Sequence, residues 1–213
     1  MKVLILGLPR SGTTSLIRGI QDQGYTAIIE PFNNGVQNAV EREYPLDDFH
    51  KHKNLVVKNT TYQKPTSFTK LNKGWIDFNM EFMPLFDKFI FLDRRIFSEH
   101  FKSIVNLWYR VMQEETTMQA WSDEDVPKDF TNGFIAGGGS GKLHKEKEEI
   151  RGLISRFGFV NNITYYEDLY GSDRKKSLDI IKEWKLNDID SEKLNEFLHP
   201  SKKLYRGSKK ALV

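Results

Sequence analysis

The chain has no cysteine. That excludes a disulfide scaffold, a cysteine-ligated zinc site and a cysteine nucleophile. It is compatible with a reducing compartment, and the expected location is cytoplasmic. No apolar run approaches the roughly 18 residues that a membrane-spanning helix needs, so no membrane span is expected. The opening segment MKVLILGLPRSG does not read as an export signal either, because Pro9 and Arg10 interrupt it after a short apolar stretch. Excess charge is also missing: 32 Lys+Arg against 29 Asp+Glu leave +3. So small an excess does not mark a nucleic-acid binder, and any basic function must lie in local clusters.

What remains is a chain of 213 residues, 38% hydrophobic and 29% charged. That is enough to bury a sizeable core, and the length suits one domain covering residues 1–213. Short apolar runs predict strands at Val3–Leu6, Tyr25–Ile29, Leu55–Val57, Phe89–Leu92 and Asn162–Tyr165. Helical patterns lie between them, from Thr13 to about Gln23 and near 35–43, 74–86, 98–118, 144–157, 172–184 and 190–198. Strands alternating with helices predict an α/β fold: a three-layer domain around a mostly parallel sheet of about five strands, with helices on both faces. Two stretches predict irregular structure. One is 59–73, rich in Thr, Lys and Asn. The other is about 119–142, where Asp123, Glu124, Asp125 and Asp129 precede AGGGSGK; a loop or lid is expected there.

Between the first strand and the first helix stands GLPRSGTTSL. Gly7 and Gly12 have the G-x-x-x-x-G spacing of a phosphate-binding loop, in which backbone N–H groups and a helix N-terminus face an anion. Ser11, Thr13, Thr14 and Ser15 add hydroxyl donors beside Gly12. A nucleotide triphosphatase has Gly-Lys-Ser/Thr at this point, the lysine on the β- and γ-phosphates and the hydroxyl on Mg²⁺. Here the sequence is Gly12-Thr13-Thr14, and the nearest cation is Arg10. The loop therefore predicts binding of a 5′-phosphate without a required metal. A second loop at AGGGSGK is not expected: Ala136 stands where a glycine is needed, and Leu143 where a hydroxyl is needed.

GLPRSGTTSL resembles the 5′-phosphosulfate loop of the sulfotransferases, P-[KR]-[SA]-G-[TS]-[TS], and three later segments follow the family in order. FIFLDRRIFSEHFKSI is similar to the strand and helix that hold the donor's 3′-phosphate, where an Arg precedes a Ser by eight residues. Arg95 and Ser103 have that spacing, with Arg94 as the neighbouring alternative. ITYYEDLYG resembles the Tyr-Glu-Asp-Leu segment that puts a tyrosine, here Tyr166, near the adenine; Glu167 and Asp168 read instead as structural residues that start and cap the next helix. The late SKKLYRGSKK matches a basic Arg-Gly segment on the 3′-phosphate through Arg206 and Gly207, and reads equally as a solvated basic tail over 200–213. The chain departs from many members in having Ser15 where they stack a tryptophan on adenine.

The resemblance implies a P-loop sulfotransferase that moves a sulfuryl group from 3′-phosphoadenosine 5′-phosphosulfate to a hydroxyl or amine, with no metal required. In-line transfer needs cations around the moving charge and a base on the acceptor. Arg10 can reach the leaving phosphate. Lys58, taken to end the third strand, matches a family lysine on the sulfuryl group. Many members place a His two residues further on; here that residue is Thr60. Another branch uses a Glu after the second strand, and Glu30 in AIIEPF matches it as general base. Pro31 is expected to hold Glu30 extended. Trp108, Tyr109 and Trp121 could line an acceptor pocket or belong to the core. The sequence does not identify the acceptor; a small molecule, a saccharide or a peptide is expected. The competing readings are a small P-loop kinase or nucleotide-binding phosphotransferase, and a non-catalytic nucleotide-binding module of the same fold.

Overall fold

An uninterrupted apolar strand has to bury both of its faces. Val3 and Ile5 enter one apolar cluster; Leu4 and Leu6 enter another on the opposite face. A computed structural model, which describes residues 1–32, 45–60, 75–112, 126–156 and 163–199, places this strand, β1 (Lys2–Gly7), in the middle of a five-stranded parallel sheet. The others are β2 (Thr26–Ile29), β3 (Leu55–Thr60), β4 (Lys88–Asp93) and β5 (Ile163–Tyr165), in spatial order β2-β3-β1-β4-β5. The architecture is the expected three-layer α/β sandwich.

The helices are α1 (Thr13–Gln21), α2 (Trp75–Phe82), α3 (Phe97–Met112), α4 (Lys128–Ala136), α5 (Gly139–Arg156), α6 (Tyr166–Leu169), α7 (Arg174–Glu183) and α8 (Ser191–Leu198). On one face Leu16, Ile17 and Ile20 of α1 pack with Ile181 of α7 and Leu194 of α8 against Val3, Ile5 and Val56. Their i, i+1, i+4 spacing is the apolar stripe of an amphipathic helix. On the other face α2, α3 and α5 cover Leu4, Leu6, Val57 and Phe91. That side holds an aromatic cluster in which Phe32 meets Phe78 and Phe82 edge-on at 4.9 and 5.3 Å, and Phe49 meets Phe82 at 5.3 Å. Each such pair adds about 0.5–1.5 kcal/mol beyond area burial.

Three expectations about the backbone are corrected. β3 continues through Thr60, so Lys58 lies inside the strand rather than at its end. The third strand runs on because Lys58, Asn59 and Thr60 pair in register with Ile5, Leu6 and Gly7. Residues 128–136 and 139–142 are helical rather than loop, with only the Gly137–Gly138 joint between α4 and α5. Glycines mask the pattern there, yet Leu143, Lys147, Ile150 and Ile154 recur at helical spacing and are buried. The third, the conformation of Glu30, belongs to the site below. The helix expected near 35–43 and the acidic residues 123–125 lie outside the described residues.

β1 has β3 on one side and β4 on the other, so the chain crosses over β1 in passing from β3 to β4. In open α/β sheets the crevice at the carboxyl ends of the strands beside such a reversal is where ligands bind. The Gly7–Gly12 turn leaves β1 at that point.

Candidate active site

The loop from Gly7 to Gly12 turns its carbonyls into the protein. Leu8 O accepts from Ser11 Oγ at 2.6 Å. Pro9 O lies 2.8 Å from His100 Nε2, and Gly12 O accepts from the Tyr170 hydroxyl at 2.6 Å. Burial pushes the Tyr170 phenol well above its ordinary range, so it stays a donor. Gly12 is the N-cap of α1, with φ 91° and no side chain capping the helix. The first-turn N–H groups of α1 are therefore available to an anion, reinforced by the helix dipole. The glycines are sterically required: a Cβ on Gly7 would sit 2.6 Å from Leu92 O, and one on Gly12 would sit 2.5 Å from Tyr170 Cε2 and 2.9 Å from Tyr166 Cδ2. Arg10 is itself left-handed, at φ 68°, and its Nε–H donates to Ser103 Oγ at 3.0 Å.

At the same edge of the sheet, β2 and β3 bring Glu30 and Lys58 together. Ile29 is in register with Lys58, which is in register with Ile5. The Lys58 ammonium donates to Glu30 Oε1, and the Glu30 N–H donates to Lys58 O at 2.8 Å. Lys58 is 5% exposed, whereas Glu30 is half-buried. Glu30 is not extended: its φ is 52°. A non-glycine residue in that region costs of order 1–3 kcal/mol, and a following proline disfavours it further. The surroundings impose it. Phe32, two residues on, is wholly buried in the aromatic cluster, and Lys58 holds Glu30 at both backbone and side chain. Strain of this kind concentrates at functional sites.

Arg95 and Ser103 do not converge. Ser103 meets Arg10, while Arg95, exposed on its side-chain surface, pairs with Asp168 at 2.6 Å and lies 4.4 Å above the Tyr165 ring. The hydrogen bonds from Arg95 and Lys176 hold the Asp168 carboxyl below its usual range. Glu167 accepts from the N–H groups of Arg95 and Ile96, so both acids tie the first turn of α6 to the end of β4. Arg94 takes the other direction. Its guanidinium lies 4.1 Å above the Tyr166 ring, which also stacks on Tyr170 at 4.7 Å. Among the described residues the buried Nε–H of Arg94 has no acceptor. A guanidinium is a charged, planar donor suited to carboxylate or phosphate oxygens.

No family model matches the chain, and no curated protein does either. The geometry of these side chains therefore carries the functional argument. Trp121, Arg206 and Gly207 lie outside the described residues. Trp108 packs on the core cluster, and Tyr109 meets Phe130 edge-on at 5.1 Å, which is a packing role for both.

Sequence reasoning overlooked four residues that shape the loop. Tyr170 stands four residues after Tyr166, one helical turn apart, which was a readable signal. His100 and Asp93 flank the arginine pair in LDRRIFSEH without marking themselves out. Lys147 sits in KLHKEKEEI, a run that reads as a solvated face, although it is 5% exposed and donates to Asp93 Oδ1 at 2.6 Å.

Proposed function

We propose that this chain is a sulfotransferase that uses 3′-phosphoadenosine 5′-phosphosulfate and transfers its sulfuryl group in line to a hydroxyl or amine. The observation that carries the reading is the Glu30–Lys58 pair standing beside a phosphate loop that has Arg10 instead of the Walker lysine. The uncapped first turn of α1 and the hydroxyls of Thr13, Thr14 and Ser15 hold the 5′-phosphate. Arg10 neutralises charge on the leaving phosphate, and Lys58 neutralises charge on the moving group. Glu30 accepts the proton of the acceptor. Arg94, rather than Arg95, is the better placed arginine for the 3′-phosphate, because its Nε–H has no acceptor among the described residues and Arg95 is engaged by Asp168.

Asp93 favours this reading over a Mg²⁺-dependent phosphotransferase. A carboxylate ending a strand beside the phosphate loop helps to hold Mg²⁺ in P-loop triphosphatases. Here that carboxylate already accepts from the Lys147 ammonium at 2.6 Å and from the Arg94 N–H at 2.8 Å.

Isothermal titration in EDTA tests the proposal. Micromolar binding of adenosine 3′,5′-bisphosphate, with label transfer from radiolabelled donor to an acceptor panel of saccharides, tyrosyl peptides and small alcohols, supports it. Binding of ATP that needs Mg²⁺, with no affinity for the bisphosphate, transfers the assignment to a phosphotransferase.

A further inference from the structure

Pro9 has no N–H, so its own backbone can be fixed by hydrogen bonding only through its carbonyl. The group at that carbonyl is His100 of α3, which is wholly buried and lies 2.8 Å away through Nε2. Pro9 O is an acceptor only, so Nε2 carries the proton and donates it. Ser103, three residues further along α3, receives the Nε–H of Arg10. Residues at i and i+3 lie on one helix face. Two consecutive loop residues, one of them the left-handed Arg10, are thus docked on one stripe of α3.

Behind His100 stands Asp93, whose Oδ1 is 3.8 Å from Nδ1. Among the described residues that buried Nδ1 has no hydrogen-bond partner. With the proton on Nε2, Nδ1 presents a lone pair toward a carboxylate, an arrangement that requires the carboxylate charge to be compensated. Lys147 of α5 compensates it. Its ammonium, brought in from a helix on the same face of the sheet, donates to Asp93 Oδ1 and to Arg94 O, each at 2.6 Å. Remove that ammonium and Asp93 draws a proton onto Nδ1 and turns the ring toward itself, away from Pro9.

We propose that Lys147, acting through Asp93 and His100, is a positioning residue for Arg10: ammonium, carboxylate and imidazole form one line that sets the Pro9–Arg10 turn of the anion loop. The catalytic meaning of this line rests on the sulfotransferase reading, but the line itself does not. α5 then has a task besides covering the sheet: it reaches the reacting end of the molecule through one buried side chain.

The test is NMR of the full chain with ¹⁵N-labelled arginine and histidine, on the wild type and on His100→Leu, His100→Gln and Lys147→Met. In the wild type, His100 must show the Nε2–H tautomer, and Arg10 Nε–H must exchange slowly. His100→Leu and Lys147→Met are expected to speed Arg10 Nε–H exchange at least about tenfold while the fold is retained. His100→Gln, whose amide can still donate to Pro9 O, is expected to rescue it. An Nδ1–H tautomer in the wild type overturns the proposal without any variant, which covers the case in which Lys147→Met does not fold. So does unchanged Arg10 exchange in a folded His100→Leu. A bisphosphate titration on the same samples separates the two claims. A wild type that ignores the bisphosphate but shows the Arg10 response refutes the donor assignment and leaves the positioning line standing.

Discussion

The Lys58 ammonium donates to the Glu30 carboxylate, while the Glu30 N–H donates to Lys58 O across 2.8 Å. Residues 28 apart in sequence are thus clamped at both main chain and side chain at the carboxyl edge of the sheet. In the proposed reaction one is the base and the other the cation, and neither is needed to bind a product that lacks the sulfuryl group. Glu30→Gln and Lys58→Ala should each lower turnover by about 10²–10⁴, the usual contribution of a positioned base or charge. Affinity for the bisphosphate should change by less than about threefold, read by titration. A parallel collapse of affinity would make the pair a folding or binding element instead.

Arg94 and Arg95 are neighbours with different commitments. Asp168 and the Tyr165 ring occupy Arg95. Arg94 covers Tyr166 and, among the described residues, its buried Nε–H has no acceptor. Arg94→Ala should weaken adenosine 3′,5′-bisphosphate at least about tenfold, a loss of ~1.4 kcal/mol, while affecting adenosine 5′-monophosphate little. Arg95→Ala should shift both ligands slightly and equally. If the selectivity between the two nucleotides follows Arg95, the assignment made here is wrong and the eight-residue spacing to Ser103 is the better guide.

Much of the fold was readable because apolar runs on buried parallel strands carry no competing signal. All five strands were placed, and Phe89–Leu92 was extended by one residue at each end. Lys58 shows why an edge was misjudged. A lysine after Leu55-Val56-Val57 reads as the strand leaving the core, and the partner carboxylate of Glu30 offsets the cost of its burial. Glu30 shows the limit of a local rule. Proline restrains the residue before it, but the burial of Phe32 and the hold of Lys58 outweigh that restraint. The loop glycines, the hydroxyls and Arg10 were visible as a motif. Which side chains cap the loop carbonyls was not, since His100 lies 91 residues from Pro9 and Tyr170 lies 158 from Gly12, and tertiary packing brings them there.

Gly12 ties the loop to α6. A Cβ there would lie 2.5 Å from Tyr170 Cε2, at a φ of 91° that non-glycine residues adopt only under strain. Gly12→Ala should cost at least about 1–2 kcal/mol from the backbone alone, with more from displacing Tyr170. Tyr170→Phe removes only the hydroxyl on Gly12 O and should cost about 1 kcal/mol of stability, together with a several-fold loss of phosphate-ligand affinity. Urea unfolding and titration check both. Tyr170→Phe binding as tightly as wild type would show that the hydroxyl does not shape the loop.

Acid should loosen this protein earlier than its carboxylates alone predict. Burial holds the His100 imidazole down to about 4 from 6.5, with Lys147 and Arg94 adding to the effect and the Pro9 hydrogen bond and Asp93 opposing it. The unfolded chain therefore takes up a proton at this position below pH 6.5, while the folded chain waits until about 4. Between those limits the unfolded state binds more protons, so stability rises with pH. The contribution is complete above 6.5, falls away as the pH drops toward 4, and is exhausted below that. At about 1.4 kcal/mol per pH unit its ceiling is ~3 kcal/mol. Asp168 and Glu167, both held below their usual range, act in the same direction at lower pH. They are present in every variant and cancel in a difference. His100→Gln cannot titrate, so its stability should fall less than that of the wild type between pH 7 and pH 4.5, by up to ~2–3 kcal/mol in urea unfolding. Parallel stability profiles for the two proteins would mean that His100 takes up its proton in the folded state, which is incompatible with a neutral imidazole held between the Pro9 carbonyl and the Lys147–Asp93 pair.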